Sequence, residues 1–345
     1  MNDTFLKVLR GEKAKTTYTP IWIMRQAGRY LPEYRQVREN VDFLTLCKTP
    51  ELAARVTMQP VDVLGVDAAI LFSDILIPVE AMGMKLEFSE KHGPSLSEPI
   101  RSRLLFERLA MPDPEDDLPF VIETVRILKS VLKVPLIGFS GAPFTLATYM
   151  IEGGGSRNFL NTKRMMYANQ GLFDGLMAKI TGTVISYLRA QIRAGADAVQ
   201  LFDTWAGALS PEDYRVYALP HVKRVIRELA GEGAPLIYFV NGCAGLLKEV
   251  KASGAGAIGI DWRVDIGAAV KKLGKKTVVQ GNLDPCTLLA PTDEIKRKAW
   301  DILEKAQGAK GHIFNLGHGI LPEIPVENAR ALVDIVHEWK GRQQP

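Results

Sequence analysis

Short and almost wholly apolar runs recur along the chain, and amphipathic stretches with helical periodicity separate most of them. The apolar runs lie at 21–24, 68–72, 135–139, 198–202, 235–240, 257–260, 277–281 and 312–316. They are too apolar to face water on one side, which is typical of parallel strands that are buried on both faces. The longer stretches at 120–131, 173–194 and 212–229 have the spacing of helices packed on such a sheet.

Two of the predicted strands are preceded by nearly the same sequence. Residues 65–74 read GVDAAILFSD and residues 195–204 read GADAVQLFDT, while 254–261, GAGAIGID, is a looser copy. In each, a glycine ends a helix and the chain turns directly into a strand. Repeated strand–helix alternation predicts an α/β fold of the (β/α)8, or TIM-barrel, class. The alternative is a doubly wound open sheet, but the first strand–helix turn lacks the glycine fingerprint of that fold.

Composition narrows the class of protein. A chain of 345 residues could hold two average domains or one large barrel, and no Pro/Ser-rich linker divides it. The net charge of +4 is small and no basic tract is present, so we expect no nucleic-acid partner. Three widely separated cysteines indicate a reducing compartment. Without an apolar signal core or a run of roughly 18 apolar residues, we expect a cytoplasmic protein that does not enter the membrane.

The first predicted strand runs into a loop that is rich in arginine. Residues 22–35 read WIMRQAGRYLPEYR and place Arg25 and Arg29 on either side of Gln26 and Gly28. Arginine binds carboxylate or phosphate through two parallel hydrogen bonds, and a glycine lets the backbone approach a ligand closely. The loop therefore predicts a clamp for an anion. A salt-bridged surface turn is the alternative interpretation.

Polar residues follow nearly every apolar run, where a barrel has its functional face. These residues are Arg25, Ser73, Asp74, Ser140, Asp203, Thr204, Asn241, Asp261, Asn282 and His318. Serine, threonine, aspartate and asparagine also cap helices, an interpretation that suits Ser210 and Thr292 best and Asp74 least. The glycines on both sides of His318 predict that the backbone comes close to another part of the molecule there.

Six motifs, in order along the chain, resemble one known family. They are MRQAGRYLPEYR, LFSDIL, GFSGAPFTLATYMIEGGGS, LFDTWAG, QGNLDP and FNLGHGI. Together they resemble the uroporphyrinogen decarboxylases over essentially the whole chain. The resemblance implies a single (β/α)8-barrel domain over residues 1–345 that is typically a homodimer, with its active clefts near the interface. It also implies a carboxy-lyase that needs no metal or organic cofactor and converts the four acetates of uroporphyrinogen III to methyl groups, which gives coproporphyrinogen III in haem biosynthesis.

The same resemblance implies the site residues. Arg25 and Arg29 would anchor substrate carboxylates, and Asp74 would accept hydrogen bonds from the pyrrole N–H groups. The implied catalytic residues are Asp74, Arg25, Arg29, Tyr149 and His318. The implied substrate-binding residues are Arg25, Gln26, Ala27, Gly28, Arg29, Asp74, Tyr149, Phe202, Thr204 and His318. The family has serine or threonine at the position of Thr204, and the group that delivers the proton stays open.

Two other functions remain as alternatives. Corrinoid methyltransferases related to this family bind zinc through a His-x-Cys pair and a later cysteine. Here Asn241 stands where the histidine is expected, and His318 between its glycines stands where the later cysteine is expected. Cys243 alone cannot supply the three protein ligands of a catalytic zinc site. A non-catalytic tetrapyrrole-binding protein would need only a cleft with anchors, and could lose Asp74.

Overall fold

A curled, seven-stranded parallel sheet forms the centre of the computed structural model, which describes residues 2–89 and 93–340. The strands, in chain order, are β1 (Ala69–Ile70), β2 (Leu86–Ser89), β3 (Gly93–Leu96), β4 (Leu136–Gly141), β5 (Ala198–Asp203), β6 (Leu236–Val240), β7 (Ala257–Gly259), β8 (Val278–Gln280) and β9 (Gly311–Ile313). The sheet has the order β1-β4-β5-β6-β7-β8-β9, so neighbours in space are neighbours along the chain apart from the β2–β3 hairpin, which is antiparallel and separate.

Helices lie between the strands and cover the sheet. They are α1 (Thr4–Leu9), α2 (Pro32–Arg38), α3 (Phe43–Lys48), α4 (Pro50–Leu64), α5 (Ile77–Ala81), α6 (Arg103–Glu107), α7 (Pro114–Asp117), α8 (Pro119–Val131), α9 (Pro143–Glu152), α10 (Leu160–Ala168), α11 (Gln170–Ala194), α12 (Pro211–Asp213), α13 (Leu219–Leu229), α14 (Leu247–Lys251), α15 (Ile266–Leu273), α16 (Thr292–Ala306) and α17 (Val326–Glu338). Short 3₁₀ turns occur at 13–15, 206–208, 243–245 and 285–289. No helix within the described residues is both long and apolar enough to cross a membrane.

The structure confirms seven of the eight predicted strands. The first predicted strand differs from them. Its residues form one isolated parallel bridge, Ile21 to Phe314, rather than a continuous ladder. Phe314 N–H donates to Pro20 O at 2.8 Å on one side of this segment, and Asp67 N–H donates to Ile21 O at 2.8 Å on the other. The segment therefore lies between the residues that follow β9 and those that precede β1.

The helix predictions hold with one exception. The stretches 120–131 and 173–194 lie in α8 and α11, whereas 212–229 is interrupted by a π-helical turn at Tyr214–Ala218 between α12 and α13. Ser210 caps α12 as predicted, with its hydroxyl accepting the Asp213 N–H at 3.1 Å. The cap prediction for Thr292 is wrong. Pro291 has the extended backbone of the cap position, so Thr292 is already the first residue of α16.

A buried polar chain crosses the interior of the sheet. The indole N–H of Trp22 donates to Gln280 Oε1 at 2.9 Å, and the Gln280 amide donates to Gln200 Oε1 at 3.0 Å. All three side chains are fully buried. Because a buried polar group without a partner is costly, these bonds favour one placement of the first segment relative to β8 and β5.

Candidate active site

A cleft of ≈ 500 Å³ opens at the carboxyl-terminal ends of the strands. Many aromatic side chains contribute to its walls: Tyr30, Tyr34, Phe43, Phe72, Phe88, Phe139, Tyr149, Phe202 and Phe239. Charged and polar side chains are few and converge from several segments: Arg25, Arg29, Arg38, Ser73, Asp74, Thr204 and His318. An apolar concavity with a small number of placed polar groups is the usual form of a site for a small organic ligand.

All the predicted site residues except Gln26 line this cleft. The Gln26 side chain is buried instead: its Oε1 accepts the Ile23 N–H at 3.0 Å, and its amide donates to Ala68 O at 3.1 Å. The side-chain amide of Gln26 thus has hydrogen-bond partners inside the fold, and it connects the arginine loop to the residues before β1. The Gln26 side chain therefore faces the interior of the fold rather than the cleft.

The arginine loop has an uncommon backbone conformation that other residues hold in place. Arg25 has φ of 61°, a left-handed conformation that side chains other than glycine seldom adopt. The Tyr30 hydroxyl donates to Gln26 O at 2.7 Å. Arg35 Nη1 donates to the carbonyl oxygens of Arg29 and Tyr30, at 2.8 and 3.0 Å. Arg35 thus uses its guanidinium to fix the loop that presents Arg25 and Arg29.

The two loop arginines are exposed, and neither forms an ion pair within residues 2–89 and 93–340. The alternative of a salt-bridged surface turn is therefore not what the structure shows. Two unpaired guanidinium groups at the edge of an apolar cleft favour binding of carboxylate or phosphate groups.

Asp74 lies just after β1, where the chain turns into α5. Its Oδ1 accepts the Leu76 N–H at 2.8 Å, which leaves Oδ2 without a hydrogen-bond partner among the described residues. The surrounding protein removes water from the carboxylate and raises the pKa of Asp74. The Leu76 N–H and the charge of Arg25 act in the opposite direction. The carboxylate is thus an acceptor in partly desolvated surroundings, near a guanidinium that it does not contact.

Tyr149 and His318 are both neutral at pH 7. Burial, together with the negative charge of Asp74, raises the pKa of Tyr149 to about 12. Burial lowers the pKa of His318 to about 4, and the positive charges of Arg25 and Arg263 add to this effect. Each of the two side chains can therefore donate a hydrogen bond to a ligand without carrying a charge.

The glycines beside His318 allow close contact, as predicted. A Cβ atom on Gly317 would lie 2.2 Å from the backbone nitrogen of Trp262, so only glycine fits there. Gly319 is in similarly close contact with the side chain of Arg25. The segment 317–319 can therefore lie flat against its neighbours and bring the imidazole of His318 to the cleft.

Several polar residues at the strand ends do not line the cleft. Buried Asp203 accepts hydrogen bonds from the hydroxyls of Thr145 and Tyr238, both at 2.6 Å. Burial raises the pKa of Asp203 to about 6, and the two hydroxyl donors oppose the shift. Thr145 also accepts the Trp205 N–H at 3.1 Å, so this buried cluster connects α9, which carries Tyr149, to the strand end that carries Thr204. Ser140, Asp261 and Asn282 are likewise buried.

Sequence reasoning missed part of the cleft lining. Arg38 ends α2, three residues after Arg35, and that spacing on one helix was an available signal. Phe43 and Phe88 pack against each other with ring centroids 4.4 Å apart and also line the cleft. Phe88 belongs to the β2–β3 hairpin, which lies outside the strand–helix repeat.

The zinc alternative finds no support in the geometry. Cys243 is buried, its backbone N–H donates to Asp261 Oδ2 at 2.8 Å, and it does not line the cleft. Within the described part of the chain, no group of three or more histidine, cysteine, aspartate or glutamate side chains is placed to hold a metal ion.

Comparison with known proteins agrees with the motifs. A family model described as uroporphyrinogen decarboxylase (URO-D) matches residues 1–339. Among solved structures, a methyltransferase from Methanosarcina mazei superposes with a TM-score of 0.82 at 22% identity over 98% of both chains, which shows the fold alone. Proteins named uroporphyrinogen decarboxylase from Desulfotalea psychrophila and Carboxydothermus hydrogenoformans are 56% and 53% identical, each over 98% of this chain and over 99% and 97% of their own lengths. This chain therefore belongs to the uroporphyrinogen decarboxylase family.

Proposed function

We propose that this chain removes carbon dioxide from the four acetate side chains of uroporphyrinogen III and yields coproporphyrinogen III. The observation that carries the proposal is one aromatic cleft that holds the unpaired guanidinium groups of Arg25 and Arg29 together with the carboxylate of Asp74. A substrate with eight carboxylates and four pyrrole N–H groups needs cationic anchors at its edge and an acceptor at its centre. Full-length relatives that carry the name of this activity support the same substrate.

The reaction needs a place for the electron pair that carbon dioxide leaves behind. Protonation of a pyrrole ring carbon makes that ring cationic. The bond between the acetate methylene and its carboxylate then breaks, its electrons neutralise the ring, and the methylene takes up a proton to become methyl. The ring carbon finally releases the proton that it first accepted, which restores the neutral pyrrole, so that one proton is consumed for each carbon dioxide lost. Asp74 would stabilise the cationic ring, and only an interaction that is stronger in the transition state than in the ground state speeds the step.

The neutral side chains of His318 and Tyr149 limit the roles that these two residues can have in the reaction. His318 and Tyr149 would donate hydrogen bonds to carboxylate oxygens, while Arg25 and Arg29 would bind carboxylates as two-point donors. Phe202 and the Thr204 side chain would contact the macrocycle from the end of β5, and Ala27 and Gly28 would contact it from the arginine loop. In the free protein the pKa of His318 is lowered to about 4, so the imidazole would meet the substrate in its neutral form at pH 7.

The proposal also includes the fold, the oligomeric state and the cellular location of this enzyme. Bonds on both sides of segment 20–22 support closure of the sheet into a (β/α)8 barrel in one domain over residues 1–345. The protein would act as a cytoplasmic homodimer, without a metal, an organic cofactor or a nucleic-acid partner. A single cooperative unfolding transition and a dimer mass by sedimentation equilibrium are the expected measurements.

The experiment is incubation of chelated, dialysed protein with uroporphyrinogen III under anaerobic conditions, followed by oxidation and chromatography. We expect porphyrins with seven, six, five and finally four carboxylates. Stoichiometric binding without these products would instead favour a non-catalytic tetrapyrrole-binding protein. Activity that returns only after a metal is added would contradict the cofactor-free reaction.

A further inference from the structure

Arg263 is an arginine close to the cleft that the chemistry above does not use. It follows β7, and its side chain is 50% exposed. The guanidinium carbon lies 3.9 Å from the centroid of the Trp262 ring, and Nη1 donates to Asn241 Oδ1 at 3.0 Å. A guanidinium placed over an indole ring together with a hydrogen bond to an amide favours one orientation of a side chain that is otherwise flexible.

Both neighbours of Arg263 connect it to the cleft lining. The Trp262 ring packs edge-on against the imidazole of His318, with centroids 5.9 Å apart. The Asn241 amide lies 3.5 Å from Thr204 O. The charges of Arg25 and Arg263 both lower the pKa of His318, while the charge of Asp261 acts in the opposite direction, so the imidazole lies in the field of two cations and one anion. An anion beside His318 would be attracted by both cations.

The nearby carboxylate of Asp261 does not occupy all the hydrogen-bond donors of the Arg263 guanidinium. Asp261 Oδ1 lies 3.5 Å from Arg263 Nη1 and accepts the Arg263 backbone N–H at 2.9 Å, while its Oδ2 accepts the Cys243 N–H. The contacts to Asn241 and Asp261 both involve Nη1. Within the described residues, the donors on Nε and Nη2 therefore have no hydrogen-bonded acceptor.

We infer that Arg263 binds one of the carboxylates that the reaction leaves in place, and so contributes to substrate affinity rather than to chemistry. This inference rests on the proposed function. The pyrrole ring that reacts lies with its N–H group at Asp74 inside the cleft, whereas Arg263 lies beside the cleft without lining it. A substrate carboxylate that extends to Arg263 therefore belongs to a side chain that is not reacting. Four of the eight carboxylates remain after all four acetates have been lost.

The test compares Arg263→Gln with the matched control Arg126→Gln, which removes a half-exposed arginine that pairs with Glu115 on α7. Two constants are measured: KM for uroporphyrinogen, and Ki for coproporphyrinogen, which carries only the four retained carboxylates. We expect Arg263→Gln to raise both constants about ten-fold with kcat within about two-fold, since one charged hydrogen-bond partner is lost. Arg263→Lys should recover only part of the affinity, because lysine cannot form the flat two-point contact. The control should change neither constant.

Other outcomes would overturn the inference. If Arg263→Gln leaves KM and Ki at the parental values, Arg263 does not bind substrate, and a lowered Tm in the same variant would show a structural role. If KM rises while Ki does not, the contact is to an acetate. The activity of the parent protein is measured first: a parent without turnover refutes the proposed function and this inference together, whereas an active parent with an unaffected variant refutes only the inference.

Discussion

The side chain of Arg25 lies directly across the backbone of Gly319. A Cβ atom on Gly319 would be 2.4 Å from Cδ of Arg25 and 2.9 Å from its Nε, which real side chains do not tolerate. This contact joins the arginine loop, which follows the first apolar run, to the segment after β9. The direction in which Arg25 points into the cleft therefore depends on the absence of a side chain at position 319.

We expect Gly319→Ala to impair the enzyme although it adds a single methyl group. The methyl group would displace the Arg25 side chain and weaken carboxylate binding, with a loss of about ten-fold in kcat/KM if one charged contact is lost. Gly171→Ala is the matched control, because a Cβ there meets nothing within 4 Å. Steady-state kinetics of both variants check this. Equal kcat/KM values for Gly319→Ala and the parent would show that Arg25 adapts freely.

We expect Arg29→Lys to weaken turnover even though the positive charge is kept. Arg29 is exposed at the cleft and has no ion-pair partner within the described residues, so its guanidinium is available for two-point binding. Lysine offers one point of contact, and a rise of several-fold in KM is expected, or roughly 1 kcal/mol. Arg126→Lys serves as the control away from the cleft. Kinetics like those of the parent would place Arg29 outside the binding site.

We expect Asp74→Asn to reduce kcat by about 10²–10³, because it removes a preorganised negative charge beside the ring that becomes cationic. Asparagine keeps the size and an oxygen that can still accept the Leu76 N–H. Burial opposes the charge of Asp74, so the substitution should not lower the Tm. Turnover and a circular dichroism melt are measured together. A variant that melts like the parent and reacts within a few-fold of its rate would refute the electrostatic role.

We expect the fold to lose stability between pH 6.5 and pH 4, in part through His312. Burial lowers the pKa of His312 from 6.5 to about 4, while its Nε2 lies 2.7 Å from Gly281 O. The unfolded chain thus takes up a proton at a higher pH than the folded chain, so stability is present above 6.5 and falls as the pH drops toward 4. The shift corresponds to about 3 kcal/mol.

The measurement for His312 is chemical denaturation of the parent and of His312→Gln at pH 7 and at pH 4. The variant has no imidazole to protonate, so its free energy of unfolding should fall less between the two pH values, by roughly the same 3 kcal/mol. Protonation of Asp203 has the opposite effect on stability, because its pKa is raised to about 6. Asp203 is present in both proteins, so its effect cancels in the comparison. If the free energies of unfolding of the two proteins fall by the same amount between pH 7 and pH 4, His312 is not buried in its neutral form.

Local patterns were enough to predict most of the strands and the arginine loop that lines the cleft. Seven apolar runs became strands because their periodicity reflects burial on both faces, and the arginine loop was recognisable from residue type alone. The close contact around His318 was also predictable, because glycines on both sides of one histidine indicate that the backbone lies close to another part of the molecule. In each of these cases the signal is the residue type and its spacing over a few positions, even though the glycines at 317 and 319 make their close contacts with the distant residues Trp262 and Arg25.

The orientation of the polar side chains could not be read from the sequence. Gln26 and Asp203 have the same residue types and strand-end positions as ligand-binding groups, yet both are satisfied inside the fold, Asp203 by a tyrosine 35 residues away. Phe88 reaches the cleft from the β2–β3 hairpin, which lies outside the strand–helix repeat. Whether such a side chain faces a ligand or the interior depends on which distant donors and acceptors the folded chain brings within about 3 Å, and hydrogen bonds of that kind form only in the tertiary structure.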